Sequence, residues 1–179
     1  MVTDPQLIVN VVDLRRKLAS RQRVHVLTPA GADLVVGDAS VPEGGEITVD
    51  VQLESLSDGI IVTGTVSSPW LAVCRRCLGP ATGSLTVEVR ELYQVRPSVD
   101  DAFAFEGDLL DLAPLVREAL MLDLPVAPVC RPDCLGLCPV CGLDRNETAC
   151  SCENEPTDPR WSALEGLAAR LGQFDQPGT

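Results

Sequence analysis

A chain of 179 residues with 45 % apolar residues supports one domain, or one plus an appended module, and a formal charge of −12 argues against holding nucleic acid through its overall field. Aromatic residues are only 3 %, so the core must come from Val, Leu, Ile and Ala. No stretch approaches the ~20 apolar residues of a membrane span, and neither Met1–Asp4 nor the short Leu7–Val12 run resembles a secretion signal, so a cytoplasmic protein is expected.

Residues 6–12 read as a short buried strand, after which Asp13 caps a helical turn over 14–19. Arg15, Arg16, Lys17, Arg21 and Arg23 form the main basic concentration. The plain reading is a solvated face; the sharper one is a contact for RNA phosphates or an acidic partner. Val24–Leu27 and Leu34–Val36 are expected as short strands, with the single histidine, His25, on a strand surface. After a turn at Val41–Gly45, Ile47, Val49, Val51 and Leu53 alternate with Thr48, Asp50, Gln52 and Glu54, the pattern of a strand with one buried face. Ser57-Asp58-Gly59 turns the chain, Ile60–Val66 returns beside it, and Pro69-Trp70 breaks that pairing. Leu71–Val73 leads into Cys74-Arg75-Arg76-Cys77. A strand alternating at Leu85, Val87 and Val89 follows, which puts this cysteine pair at a strand–turn–strand tip.

Residues 97–108 read as an acidic loop. Asp111 caps a helix with the stripe Leu112, Leu115, Val116, Ala119 and Leu120, and Pro114 is tolerated in its first turn. Leu124–Pro128 then leads in extended form to Cys130. Asp158 caps a final helix with Pro159 at its first position and a stripe of Trp161, Leu164, Leu167, Ala168 and Leu171, a core face by default and a partner face otherwise. The expected fold class is α+β: a predominantly antiparallel β-sheet or small barrel with a few helices and a Cys-rich, zinc-binding C-terminal module. Two domains are expected. Residues 1–128 form the strand-rich one, with one knuckle (Cys74/Cys77) and the helix at 111–124; residues 129–175 form the Cys-rich module and its helix.

Six of the eight cysteines lie between Cys130 and Cys152. Thiolates two residues apart wrap one ion in a tight turn, and in Cys138-Pro139-Val140-Cys141-Gly142 the proline fixes one φ while the glycine is free to take a positive one. Cys138, Cys141, Cys150 and Cys152 make one four-thiolate set; Cys74, Cys77, Cys130 and Cys134 make the other. Spacing also allows Cys134, Cys138, Cys141 and Cys150 to share an ion. In a cytosolic chain the pattern favours two Zn²⁺ over disulfides, a thioredoxin-like pair or an iron–sulfur cluster. Four thiolates leave no open position for substrate, so the metal is structural and no enzyme is expected. No phosphate-binding glycine loop is present, and no small-molecule substrate is implied.

These features together resemble the YceD family, also called large ribosomal RNA subunit accumulation protein. The resemblance rests on Cys74-Arg75-Arg76-Cys77-Leu78 after a run of strands, then on the Asp111-Leu112 helix with Leu122-Asp123-Leu124-Pro125. It continues through Cys130-x-x-x-Cys134-Leu135-Gly136-Leu137-Cys138-Pro139-Val140-Cys141-Gly142, Cys150-x-Cys152 and Asp158-Pro159-Arg160. Where relatives often read G-x-N-L-N, this chain has Gly142-Leu143-Asp144-Arg145-Asn146. The resemblance implies a cytosolic factor needed for 23S rRNA to be made, processed or kept stable, acting on a ribosomal protein or pre-rRNA. The family is typically encoded beside a zinc-ribbon protein of the large subunit. Two competing readings are a thiol-based redox or zinc-responsive regulator, and an RNA-processing enzyme using Asp100, Asp101 and Asp108.

Overall fold

Alternating hydrophobicity decides most of the architecture. The computed structural model describes residues 5–97 and 102–152, with Leu164 beyond them. By internal contacts the chain divides into two compact units, Met1–Cys134 and Leu135–Thr179, so Cys130 and Cys134 belong with the strands. In the first unit a 3-10 turn at Pro5–Leu7 leads to β1 (Ile8–Asn10), α1 (Val12–Arg16), β2 (Arg21–Pro29), β3 (Val35–Val36), β4 (Ala39–Ser40) and β5 (Glu46–Ser55). Then come β6 (Ile60–Val73), β7 (Pro80–Gln94), β8 (Phe103–Ala104), β9 (Leu109–Asp111) and α2 (Ala113–Asp123).

The spine of the main sheet is β6. One edge pairs with β5 from Ser55↔Ile60 to Thr48↔Ser67, then with β4 at Ser40↔Leu71. The other edge pairs with β7 over the whole length, from Ile60↔Tyr93 to Val73↔Pro80. β2 flanks β5, and all these ladders are antiparallel; β8 joins β7 in parallel at two positions. No strand closes the sheet among the described residues, so of the two expected forms the open sheet is found. The expected stop at Pro69-Trp70 is real for the β5 ladder, which ends at Ser67, but β6 itself runs on against β7 to Val73.

Period-2 burial follows the sequence pattern. Ile47, Val49, Val51 and Leu53 of β5 are at most 4 % exposed. They pack with Ile60, Val62 and Val66 of β6, Tyr93 of β7, and Leu115, Val116 and Leu120 of α2. Each such side chain contributes about 1.5–3 kcal/mol of burial. Trp70 lies across from Gly83, whose missing Cβ would sit 2.8 Å from the indole ring, and touches both this core and the smaller cluster around Cys74. No helix among the described residues is long and apolar enough to cross a membrane.

Several boundaries differ from expectation. The strand expected at 6–12 is only three residues long, because Pro5–Leu7 forms a 3-10 turn and β1 has a single short partner, β9. Asp13 does not cap α1: the helix starts one residue before it, the Val12 N–H donates to Asn10 Oδ1 at 3.0 Å, and Asp13 pairs with Arg16. β2 extends beyond Val24–Leu27 because all of Arg21–Pro29 finds partners on β5. The acidic stretch contains β8, held where Phe103 stacks on Tyr93 at 5.1 Å. Asp111 does not occupy the cap of α2 either: Leu112 is the N-cap, without a side-chain cap, while Asp111 closes β9 and its Oδ1 accepts the Ala113 N–H at 2.8 Å in a local turn. The final helix falls outside the described residues except for Leu164, which is helical.

Candidate metal centres

The two C-x-x-C pairs, Cys74/Cys77 and Cys138/Cys141, sit on the same backbone turn. In the first, the Leu78 N–H donates to Cys74 O at 2.9 Å and the Cys74 N–H to Gly79 O at 2.8 Å. In the second, Gly142 N–H donates to Cys138 O at 2.9 Å and Cys138 N–H to Leu143 O at 2.8 Å. The residue after the second cysteine takes a positive φ in both: Leu78 at 59° and Gly142 at 73°. A leucine pays for that conformation with roughly 1 kcal/mol of steric strain, whereas glycine pays none. Leu78→Gly is therefore expected to leave thermal stability unchanged or raise it by up to about 1 kcal/mol, while Gly142→Ala lowers it by about the same amount. Thermal unfolding of the two variants checks this opposite pair of signs.

The β6–β7 hairpin presents the first knuckle at its tip. The chain after α2 returns to it: Arg75 N–H donates to Pro128 O at 2.9 Å, which brings Cys130 and Cys134 alongside. Cys74 Sγ lies 3.9 Å from Cys134 Sγ, and Cys77 Sγ lies 3.7 Å from Cys130 Sγ. Tetrahedral zinc with Zn–S bonds of about 2.3 Å requires sulfurs about 3.8 Å apart, while a disulfide requires about 2.05 Å. All eight cysteines are free thiols. Within each set, Cys74/Cys77/Cys130/Cys134 and Cys138/Cys141/Cys150/Cys152, the four sulfurs lie within 4.8 Å of one another. The alternative grouping with Cys134 among the later cysteines is not the one the fold assembles.

The electrostatics fit a cation. Backbone N–H donation, led by Cys77, draws the Cys74 thiol down to about 6, and donation led by Cys141 and then Val140 does the same for Cys138. Their neighbours move the other way. Cys130 is pushed up to about 12, first by its hydrogen bond with Cys134, and Cys152 up to about 12, first by that with Cys141. A protein-only cluster accepts one thiolate readily and resists the next; a divalent ion removes that repulsion and takes all four. The donor set and spacing thus suit a closed structural site, whose chemistry is to cross-link chain segments.

Two supporting residues carry the loops. Arg76 donates a backbone N–H to Cys74 Sγ at 3.4 Å, and its guanidinium donates to Pro132 O at 3.1 Å and Cys134 O at 3.0 Å. It clamps the Cys130–Cys134 segment onto the knuckle. Sequence reasoning missed this role, although a cation between paired cysteines was a visible signal. Arg76→Gln is expected to weaken metal binding about tenfold or more while leaving the sheet intact, as measured by competition with a chromophoric chelator. In the second unit, Asp144 Oδ1 accepts the Asn146 N–H at 2.8 Å, and Asn146 Oδ1 accepts the Leu135 N–H at 2.9 Å. The aspartate standing where relatives often have asparagine therefore still makes the turn.

The basic residues near the N-terminus do not join either centre. Arg15 pairs with Asp108, Arg16 with Asp13, Arg21 with Glu54 and Arg23 with Asp50, and Lys17 is exposed at the end of α1. Asp108 is thus engaged by Arg15, and Asp100 and Asp101 lie outside the described residues. His25 is exposed on β2, as expected.

A family model described as "Large ribosomal RNA subunit accumulation protein YceD" matches residues 62–168. The chain belongs to the YceD family. The match spans the β6–β7 hairpin, α2 and all eight cysteines. An uncharacterized protein of Mycobacterium tuberculosis, Rv2926c, is 33 % identical over 165 residues, covering 88 % of this chain and 79 % of its own. YlbN of Bacillus subtilis, also uncharacterized, is 28 % identical over 108 residues, 58 % of this chain and 63 % of its own. A chloroplastic YCED homologue of Arabidopsis thaliana, named for large ribosomal RNA subunit accumulation, is 27 % identical over 64 residues, 36 % of this chain and 20 % of its own. No solved structure matches. YceD membership agrees with the resemblance read from the cysteine spacing, and the family's name is that of a large ribosomal RNA subunit accumulation protein.

Proposed function

We propose that this protein is a cytoplasmic, non-enzymatic factor in large ribosomal subunit biogenesis, built around two structural zinc ions. It supports synthesis, processing or stability of the large-subunit rRNA by binding a ribosomal protein or the pre-rRNA. The observation that carries this reading is the family match over residues 62–168, which encloses both four-cysteine sets. Zinc is the ion of choice because four thiolates at tetrahedral spacing with no open position suit a redox-silent cross-link. Cys74, Cys77, Cys130 and Cys134 hold the first ion; Cys138, Cys141, Cys150 and Cys152 hold the second. Arg15, Arg16, Lys17, Arg21 and Arg23 remain available for a partner, since the exposed ion pairs among them are worth only about 0–1 kcal/mol each and exchange readily.

The test is depletion in cells followed by measurement of rRNA. Loss of large-subunit rRNA relative to small-subunit rRNA, restored by the intact chain, supports the reading; balanced rRNA levels overturn it. A thiol-based regulator is separated by treating the zinc-loaded protein with peroxide. Zinc released by mild oxidation favours regulation, and retained zinc favours scaffolding.

A further inference from the structure

Among the described residues β7 has an edge left largely unpaired. It is paired to β6 from Pro80 to Tyr93, but β8 reaches its other edge only at Tyr93 and Gln94. Among the described residues no strand pairs with that edge over Pro80–Arg90. Such an edge is a template for another extended segment. Beside it, between β7 and α2, lies a cavity of about 200 Å³. Its floor is Val87, Val89, Phe103, Leu115, Ala119 and Leu122, and Leu122 is 79 % exposed although it is a leucine on the helix. Its lining carries Glu91 from β7 and Glu118 and Asp123 from α2, while Glu88, which alternates with Val87 and Val89, stands at the same edge on the other face of β7. No arginine or lysine pairs with Glu88, Glu118 or Asp123 among the described residues.

We infer that this groove docks an extended, lysine- or arginine-bearing segment of a partner protein, which adds a strand to the β7 edge around Val87–Arg90, sets an apolar side chain against Leu115, Ala119 and Leu122, and aims its cations at the carboxylate rim. Strand addition supplies main-chain hydrogen bonds, and the alternation of the added strand sends apolar residues toward α2 and basic ones toward Glu88, with flanking cations directed at Glu91, Glu118 and Asp123. The alternatives fit less well. RNA is repelled by the four carboxylates. A drug-sized ligand needs about 300 Å³ or more. A second copy pairing edge to edge sets Glu88 and Glu91 against their own kind. The inference deepens the proposed function by giving its protein partner a surface and a chemistry.

The probe is a short fluorescein-labelled peptide in which lysine and valine alternate, titrated into the full chain and followed by anisotropy. A triple variant, Glu88→Lys, Glu118→Lys and Asp123→Lys, is expected to bind it about tenfold or more weakly, because like charges then face each other. A control reversing two acids elsewhere, Asp38→Lys and Glu43→Lys, is expected to lose far less. Hydrogen exchange of the β7 amides over Val87–Arg90 should slow when the peptide is bound. Equal loss in the rim variant and the control, or no added protection on β7, overturns the inference by showing attraction to net charge alone. A dimer by light scattering without peptide overturns it in favour of self-association. No ribosomal material enters this experiment, so its failure leaves the rRNA role standing, and loss of that role leaves the groove standing.

Discussion

Cys138→Ala is expected to release one metal ion of two and unfold the Leu135–Cys152 segment, while the sheet keeps its exchange protection. Among the described residues of the second unit, Cys138 is the one buried apolar side chain, and no named helix or strand supports the loops around it. What organises them is a turn at each end of one cluster: Cys138 with Leu143 and Gly142, Asn146 with Leu135. A segment with so little apolar burial cannot offset the entropy of ordering its backbone, about 1–2 kcal/mol per residue, without a cross-link. Metal-binding free energy in such modules is on the order of 10 kcal/mol or more, so losing one ligand removes most of the stabilisation. Two-dimensional NMR checks both halves at once: collapse of the 135–152 signals to unfolded positions, with β5–β7 signals in place. Retained signals across 135–152 mean the loop holds itself and the second centre is misassigned.

Gly64→Ala is expected to be the most damaging single methyl group in the first unit, costing about 3 kcal/mol or more, as strain and forced backbone separation add. Gly64 pairs with Val51 at the middle of the β5–β6 ladder and has a φ of 152°. A Cβ there would lie 2.2 Å from the Asp50 carbonyl oxygen and 2.7 Å from Val51 Cα. Those atoms are backbone and cannot swing aside, so the two central strands must part. The same change at Gly107, where a Cβ meets nothing within 4 Å, is expected to cost only the strain of its positive φ, about 1 kcal/mol. Chemical denaturation of the pair separates close packing from conformational strain.

The sequence was most legible where one physical rule acted alone. β5 was readable because Ile47–Leu53 alternate and one face is dry. The β6–β7 tip was readable because a cysteine pair interrupts two such runs. The grouping of cysteines was favoured by spacing, but only the return of the chain after α2 brings Cys130 and Cys134 to the first knuckle. Where rules competed, boundaries shifted. Asp13 has the right chemistry for a cap, but Asn10 precedes it and reaches the first free N–H. β8 was hidden inside an acidic stretch because its two residues are fixed by the Tyr93–Phe103 stack, a tertiary contact with no local signal. The sequence pattern shows β2 only over Val24–Leu27, because Arg21 and Arg23 at its N-terminal end gain their partners, Glu54 and Asp50, only across the ladder. Arg76 shows the limit most clearly: its position between cysteines is local, but its acceptors on Pro132 and Cys134 lie far along the chain.

The most direct test of the two-centre arrangement is metal content by mass spectrometry on natively purified protein, with thiols counted before and after chelation. About two zinc ions per chain are expected, with the eight thiols shielded before chelation and all reactive after it. A protein that holds iron, fewer than two ions, or disulfides in place of thiols contradicts the arrangement from which the rest follows.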